Sequence, residues 1–309
     1  MQTILGAGGA IGTELAKSLS KYTGNVKLVS RNPKKVNQSD ILFPADITNP
    51  TLVNKAVQGS AVVYLTAGFA YKISVWKQTW PDVMDSVIEA CLANNSKLVF
   101  FDNMYCYSAD HLNPMTENTP YGPVSEKGKV RAAIAENLNN AVRQRGLQAL
   151  IARSADFFGP GLSVSFLTET VLKPLSQGKT ANVLMSDSCR HSFTYTPDAG
   201  KATALLGNTP DAYGQTWHLP TAPNPLTGKQ WVELAAGELG VKPKYRVNGK
   251  LMIQLLGLFI PAMKETVEML YQYDRDYVFS SEKFDSRFSF TPTSYIDGLR
   301  QIVRLDYKK

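Results

Sequence analysis

The residues that could do chemistry begin at the sixth position of the chain. Gly6, Gly9 and Gly12 recur every three residues in Gly6-Ala7-Gly8-Gly9-Ala10-Ile11-Gly12, directly after the apolar run Thr3-Ile4-Leu5. An apolar strand that breaks into glycines and re-emerges as the helical pattern Ile11, Leu15, Leu19 is a strand-turn-helix. Glycines are needed where a phosphate must approach the main chain, and a helix N-terminus offers it unpaired N–H groups and partial positive charge. The turn therefore reads as a dinucleotide cradle built from Gly6, Gly9, Ala10, Ile11 and Gly12. Gly6 permits the tight turn, Gly9 lets a pyrophosphate touch main-chain N–H groups, and Gly12 lets the helix pack closely on the strand.

Two further positions bear on the nucleotide. Asn25-Val26-Lys27-Leu28-Val29-Ser30 reads as the second strand and runs into Arg31, with Lys34 and Lys35 nearby. The end of this strand meets the adenosine ribose, where an acid would select the free hydroxyls and an arginine would pair with a 2′-phosphate. No acid stands there, so Ser30 and Arg31 favour NADP, with NAD as the alternative cofactor and a solvated basic turn as the bland reading. Ile41-Leu42-Phe43-Pro44-Ala45-Asp46 is a third short strand ending in an acid. Asp46 is either an acceptor for the adenine amino group or a turn and helix-cap carboxylate.

The elements that must position these groups follow in alternation. Ala61 to Thr66 is a continuous apolar strand closing on Ala67-Gly68, and Lys97 to Phe101 is a fifth strand ending in Asp102-Asn103-Met104-Tyr105-Cys106-Tyr107-Ser108. Polar and phenolic groups at the carboxyl end of a central strand sit where ligands bind in doubly wound sheets. The spacing predicts helices over about 51–57, 82–93 and 126–145, the last capped by Ser125, with a sixth strand over 147–153. Such alternation is the pattern of a parallel sheet covered on both faces. Beyond Arg153 the texture turns irregular and proline-rich, Phe166 to Leu172 reads as a helix stopped near Pro174, and Thr216-Trp217-His218-Leu219 reads as a strand returning to the sheet. The expected fold is α/β, a Rossmann-type doubly wound parallel sheet over residues 1–155 with a smaller, interleaved C-terminal substrate lobe over 156–309.

Composition narrows the partners. The 309 residues carry a formal charge of +7, but the cations are interleaved with acids, without the long basic run or aromatic-basic repeat of a nucleic-acid binder. Cys91, Cys106 and Cys189 are odd in number and share no metal or disulfide spacing, so no metal site is expected and a reducing compartment is. The first strand begins too early to leave room for a signal peptide. The most apolar later run, Leu251 to Met263, is interrupted by Gln254 and Pro261 and is too short to span a bilayer. A cytoplasmic protein with a small-molecule substrate is expected, without nucleic acid or membrane partner.

On these motifs the chain resembles the extended or atypical branch of the short-chain dehydrogenase/reductase superfamily, of the NAD-dependent epimerase/dehydratase kind. The glycine spacing matches its opening motif, Asp46 resembles its adenine-side acid, and Thr66-Ala67-Gly68 falls at its loop over the ribose. Arg153 to Gly161 and Ser192 to Asp198 resemble two later segments. The resemblance implies a sugar-nucleotide-like substrate and is compatible with a homodimer. It also implies a Ser or Thr after strand five that polarises the substrate oxygen, and a Tyr and a Lys four apart on a helix as acid/base pair. Here those positions fall on Asn103, Ser125 and Lys129. Tyr121 is confined to a loop by Pro120, Gly122 and Pro123, so no Tyr-xxx-Lys pair exists.

The catalytic candidates are accordingly Asn103, Tyr107 and Lys129. Asn103 would donate to a carbonyl oxygen or else bond its own turn, Tyr107 is a nearby phenol or a core aromatic, and Lys127 competes with Lys129 for the ribose. His191, beside Arg190, is a substrate contact or, more in keeping with its surroundings, a hydrogen-bonded structural histidine; Trp76 is a cleft wall or a packing aromatic. Two functions fit. One is an oxidoreductase or epimerase-like enzyme moving hydride between nicotinamide and a carbon bearing oxygen; the other is a protein that binds NADP without turning it over, as a sensor or regulator.

Overall fold

In the computed structural model, which describes residues 1–162 and 165–308, the first element is a seven-stranded parallel sheet. Its strands are β1 (Gln2–Leu5), β2 (Val26–Ser30), β3 (Ile41–Pro44), β4 (Val62–Leu65), β5 (Lys97–Asn103), β6 (Ala149–Ser154) and, far along the chain, β10 (Thr216–His218). The spatial order β10-β6-β5-β4-β1-β2-β3 reverses direction between β1 and β4. This is the doubly wound Rossmann-type arrangement, and ligands bind such sheets where the order reverses. β1 and β4 are buried along their whole length, which is why they read as unbroken apolar runs, whereas the edge strand β3 is largely exposed and ends in Pro44.

The crossovers are α1 (Ala10–Leu19), α2 (Pro50–Val57), α3 (Ile73–Ala93), α4 (Glu126–Arg145) and α6 (Thr196–Gly207). α1 buries Ile11, Leu15 and Leu19, the periodic positions of the sequence. α3 begins nine residues before the expected start and carries Pro81 in its interior. Trp76 and Trp80, four apart on one face, are both buried, and that burial outweighs the backbone hydrogen bond Pro81 cannot donate.

By contacts the chain divides into two units, one of residues 1–106, 127–154 and 197–219 and another of 107–126, 155–196 and 220–309. The segment 107–126, which the sequence boundary near 155 assigns to the first lobe, thus groups with the second, and 197–219 with the first. The second unit contains the parallel pairs β7 (Asp156–Phe158) with β9 (Phe193–Tyr195) and β8 (Ala181–Leu184) with β11 (Tyr245–Asn248). Its helices are α5 (Lys173–Ser176), α7 (Gly228–Leu239), α8 (Lys250–Gly257), α9 (Pro261–Thr266), α10 (Glu282–Phe288) and α11 (Tyr295–Ile302). Helical backbone runs through Pro174 rather than stopping there; the turn before it, Thr168–Leu172, is wound as a π-helix, with Lys173 N donating to Thr168 O, and this local widening accommodates the N–H that Pro174 lacks. The core of this unit is aromatic: Phe158, Phe193, Trp231 and Tyr295 meet with ring centroids 4.9–5.8 Å apart.

Candidate nucleotide and catalytic site

The ends of β1, β2 and β4 are brought level by register, since Leu5 pairs with both Val29 and Leu65. Beyond them the chain turns. Gly6 and Ala7 both donate to the Val29 carbonyl (2.9 and 3.1 Å), Gly9 N donates to Gly6 O (3.1 Å), and Thr66 N donates to Leu5 O (2.9 Å). Gly6 has φ +96°, and a β-carbon there would lie 2.5 Å from the Ala67 main chain. One at Gly12 would lie 2.8 Å from Ala7 Cα and Gly6 O. Both glycines are required by the protein's own packing.

Gly8 and Gly9 are different. A β-carbon on Gly9 would find nothing closer than Gly6 O at 3.6 Å, and one on Gly8 nothing closer than Ser30 Oγ at 3.8 Å. The protein leaves space there. Gly9 is the N-cap of α1, in extended conformation and without a side-chain cap, so the first-turn N–H groups at Ala10 and Ile11 are left for an external acceptor. The Ile11 side chain is in the core, so only its main chain faces that space. An uncapped helix start with open room in front of it fits the diphosphate of a dinucleotide.

At the end of β2, Ser30 is half-buried and Arg31 exposed. Arg31 makes no hydrogen bond or ion pair among the described residues; its charge acts on Asp46. Asp46 Oδ1 accepts from Thr48 N (3.0 Å) and Thr48 Oγ1 (2.9 Å). Those two donors, then the Arg31 charge, hold its carboxyl below the usual carboxylate range. The turn-carboxylate reading is thereby realised at Oδ1, while Oδ2 takes no donor among the described residues. At the end of β4, Thr66 is buried with its hydroxyl 3.3 Å from Leu5 O, Ala67 is half-buried and Gly68 exposed.

The end of β5 rests on a buried ion cluster that the sequence reading missed. Asp102 Oδ1 accepts from Arg131 Nε (2.7 Å) and Oδ2 from Arg153 Nη2 (2.9 Å), with the three side chains at most 5% exposed. Arg131 lies 4.3 Å from the Trp80 ring and 5.1 Å from that of Phe100, which accommodates its share of the surplus positive charge. The available signal was a charged residue at a buried position: Asp102 and Arg153 near the ends of the apolar strands β5 and β6, and Arg131 on the stripe of α4 that carries Val130, Ile134 and Leu138. Asn103, the next residue, donates its backbone N–H to Asp102 Oδ1 (2.8 Å) and accepts at its own Oδ1 from Tyr105 N (3.1 Å). The asparagine is therefore a turn residue, as one reading had it, yet that bond uses only Oδ1 and leaves Nδ2 with no acceptor among the described residues. That is the end an amide would present to a carbonyl oxygen.

Of the two lysines at the start of α4, Lys127 is fully buried, with Nζ 4.6 Å from the Tyr71 ring centroid, and Lys129 is exposed. The helix buries Lys127, Val130, Arg131, Ile134 and Leu138. A residue two positions from Lys127 is turned about 200° away from that stripe, so the lysine expected from the family spacing faces water. Tyr107 belongs to the second unit and is fully buried there, its backbone bridging Tyr121 and the two rings 6.0 Å apart.

His191 is also in the second unit. Its Nε2 meets Asp156 Oδ2 at 2.9 Å, and its ring is stacked between Tyr273 and Tyr277, nearly parallel to both, at 4.6 and 4.2 Å. This is the structural histidine of the two readings. Arg190 is engaged by Asp276 (2.6 and 3.0 Å to Oδ2) and is not a free cation. Trp76 is buried against Tyr71 and Trp80, a packing aromatic. Among the described residues no group of three or more His, Cys, Asp or Glu side chains could hold a metal ion, and no helix is long and apolar enough to cross a membrane.

This geometry has counterparts among known proteins. A comparison with curated protein sequences finds no match. Among solved structures, the UDP-N-acetylglucosamine 4-epimerase of Bacillus cereus is 15% identical over 99% of this chain and 96% of its own, with a TM-score of 0.78. The UDP-glucose 4-epimerase of Thermus thermophilus, solved in complex with NAD, is 16% identical over 98% of each chain, with a TM-score of 0.79. A dTDP-glucose 4,6-dehydratase of Streptomyces venezuelae, a double mutant with NAD bound, is 16% identical over 99% of this chain and 96% of its own, at 0.78. At these identities the likeness is one of fold. The model of the NAD dependent epimerase/dehydratase family matches residues 3–219, from β1 through the strand that rejoins the sheet, and the chain belongs to that family.

Proposed function

We propose that the protein binds a nicotinamide dinucleotide at the Gly6–Gly12 turn, prefers NADP, and is an oxidoreductase or epimerase-like enzyme acting on a small, sugar-nucleotide-like molecule. The observation that carries this reading is the contrast among the glycines: Gly6 and Gly12 serve the fold, while Gly8 and Gly9 keep open a space facing uncapped N–H groups. The neighbours solved with NAD support the cofactor class, and those named for UDP- and dTDP-sugars support the substrate class. The free guanidinium of Arg31, with Ser30 beside the turn, supports the 2′-phosphate. When bound, the nicotinamide supplies a hydride acceptor and donor. Thr66, Ala67 and Gly68 would border the ribose, Asp46 Oδ2 would accept from the adenine amino group, and Asn103 Nδ2 would donate to the substrate oxygen. Lys127, on the buried face of α4, would take the ribose role in place of the exposed Lys129. No tyrosine follows the family spacing, and Tyr107 would assist only if its hydroxyl reaches substrate.

Titration by nicotinamide fluorescence should show NADPH binding more tightly than NADH, with Arg31→Ala losing about one order of magnitude for NADPH and little for NADH. Failure of both nucleotides to bind would overturn the reading. Given turnover of a substrate, Asn103→Ala should lower kcat by about 10²–10³, the usual cost of one oxyanion donor, and Lys127→Met should weaken nucleotide binding more than Lys129→Met does. The buried state of Tyr107 favours one rival, a protein that holds NADP without turning it over. Tight NADPH binding with no hydride exchange across alcohols, aldehydes and nucleotide sugars would select it.

A further inference from the structure

The apolar run Leu251 to Met263, conspicuous in the sequence, finds no use in the nucleotide site. It forms α8, a turn and α9, and its burial is one-sided. Ile253 packs with Leu184 and Leu270, and Met263 and Val267 lie against that cluster. The other face is outside: Leu258 is 76% exposed, Phe259 84% and Leu251 77%, with Met252, Leu255 and Ile260 also exposed. Side chains that exposed stand out from the surface as a tip rather than line a groove. Scattered surface leucines are ordinary, but six large apolar groups within ten residues form a contiguous patch that marks an interaction surface.

Charge identifies the occupant. Between Glu238 and Glu265 the chain holds Lys242, Lys244, Arg246, Lys250 and Lys264 and no acid; of the acids that border this stretch, Glu238 is paired with Arg300 (3.2 Å) and Glu268 accepts from Glu126 N (2.7 Å). All five are exposed, and none is paired with a carboxylate among the described residues. A second copy docking on this face about a two-fold axis would bring the unpaired Lys250 of α8 and Lys264 of α9 toward the same lysines of its partner. An anionic lipid surface instead receives apolar tip and basic rim together. The backbone is prepared for it: Leu258 N donates to Leu255 O (3.2 Å), and Phe259 N and Ile260 N to Leu256 O (3.1 and 2.8 Å). Entry of the tip into the interface would leave none of these donors unmet.

We propose that the α8–α9 hairpin is a monotopic membrane anchor, which seats Leu258, Phe259 and Leu251 in the interfacial layer of an anionic bilayer with the lysines at headgroup level. The protein would lie on the membrane, not cross it, and the expectation of no membrane partner would be reversed. The proposal is independent of the nucleotide reading, because its test uses neither cofactor nor substrate.

The test is flotation of the full chain with phosphatidylcholine vesicles containing phosphatidylglycerol, against pure phosphatidylcholine. Binding should require the anionic lipid and weaken with salt. It should fall more than about tenfold in Leu258→Ser/Phe259→Ser, and roughly fivefold for each of Lys250→Gln and Lys264→Gln. All four side chains are exposed, so circular dichroism and melting should match the wild type. Absence of flotation, equal binding to pure phosphatidylcholine, or binding unchanged in the serine variant would overturn the proposal. So would concentration-dependent dimerisation abolished by the serine variant without vesicle binding, which would assign the face to a second copy.

Discussion

Gly9→Ala is expected to separate the nucleotide from the fold. The new methyl group has 3.6 Å to its nearest neighbour, so the protein itself should accept it, at a cost of at most about 1 kcal/mol for a poorer N-cap. The space it fills is the one the diphosphate needs. Losing one or two charge-assisted contacts to main-chain N–H groups should weaken NADPH binding by about one to two orders of magnitude. Gly12→Ala should behave in the opposite way. Its methyl would stand 2.8 Å from Ala7 Cα and Gly6 O, main-chain atoms that cannot move aside by changing rotamer. Overpacking of that kind costs about 1–3 kcal/mol and deforms the turn, so stability and binding should fall together. Urea unfolding and NADPH titration on the same two variants check the pair. Wild-type affinity in Gly9→Ala would mean that no phosphate crosses this turn.

The second large effect is expected at Asp102, which no substrate need touch. Asp102→Asn keeps the shape of the side chain but leaves two guanidinium groups, on Arg131 and Arg153, in a core where they are almost completely shielded from water. Breaking a buried pair by removing one partner typically costs about 3–5 kcal/mol, because the orphaned charge stays desolvated. Here one carboxylate serves two arginines, so the upper part of that range applies. Arg153→Met placed on top of Asp102→Asn should recover part of the loss, since one uncompensated charge is then removed. A denaturation midpoint for Asp102→Asn indistinguishable from wild type would show that the cluster does not hold β5, β6 and α4 together. Asn103, whose backbone N–H bonds Asp102, would lose its support in the same variant, so any kcat effect of Asp102→Asn should resemble that of Asn103→Ala.

Much of the first unit was legible because parallel strands are buried on both faces and so appear as short continuous apolar runs between turn residues. β1, β4 and β5 stand close to their expected limits, and α4 runs from Glu126 to Arg145 as the spacing predicts. α3 starts earlier than its local pattern suggests, because Pro81 is a local signal for a boundary, whereas the burial of Trp76 and Trp80 is a long-range effect. That Lys127 is buried and Lys129 exposed was open to sequence reasoning, since Val130, Ile134 and Leu138 define the buried face and Lys127 lies on it.

The amino-acid sequence by itself determined the class of sheet and the position of the glycine turn, because both rest on local periodicity and on backbone conformations only glycine adopts. Tertiary structure alone decided which glycines the protein needs and which it leaves open, since that depends on how close Ala67 and Ala7 come to them. It also decided that Asp102 joins Arg131 and Arg153 from 29 and 51 residues away and that the run from Leu251 to Met263 keeps one face in water. Each of these is a property of distances between residues remote in the chain, and no pattern along the chain records such distances.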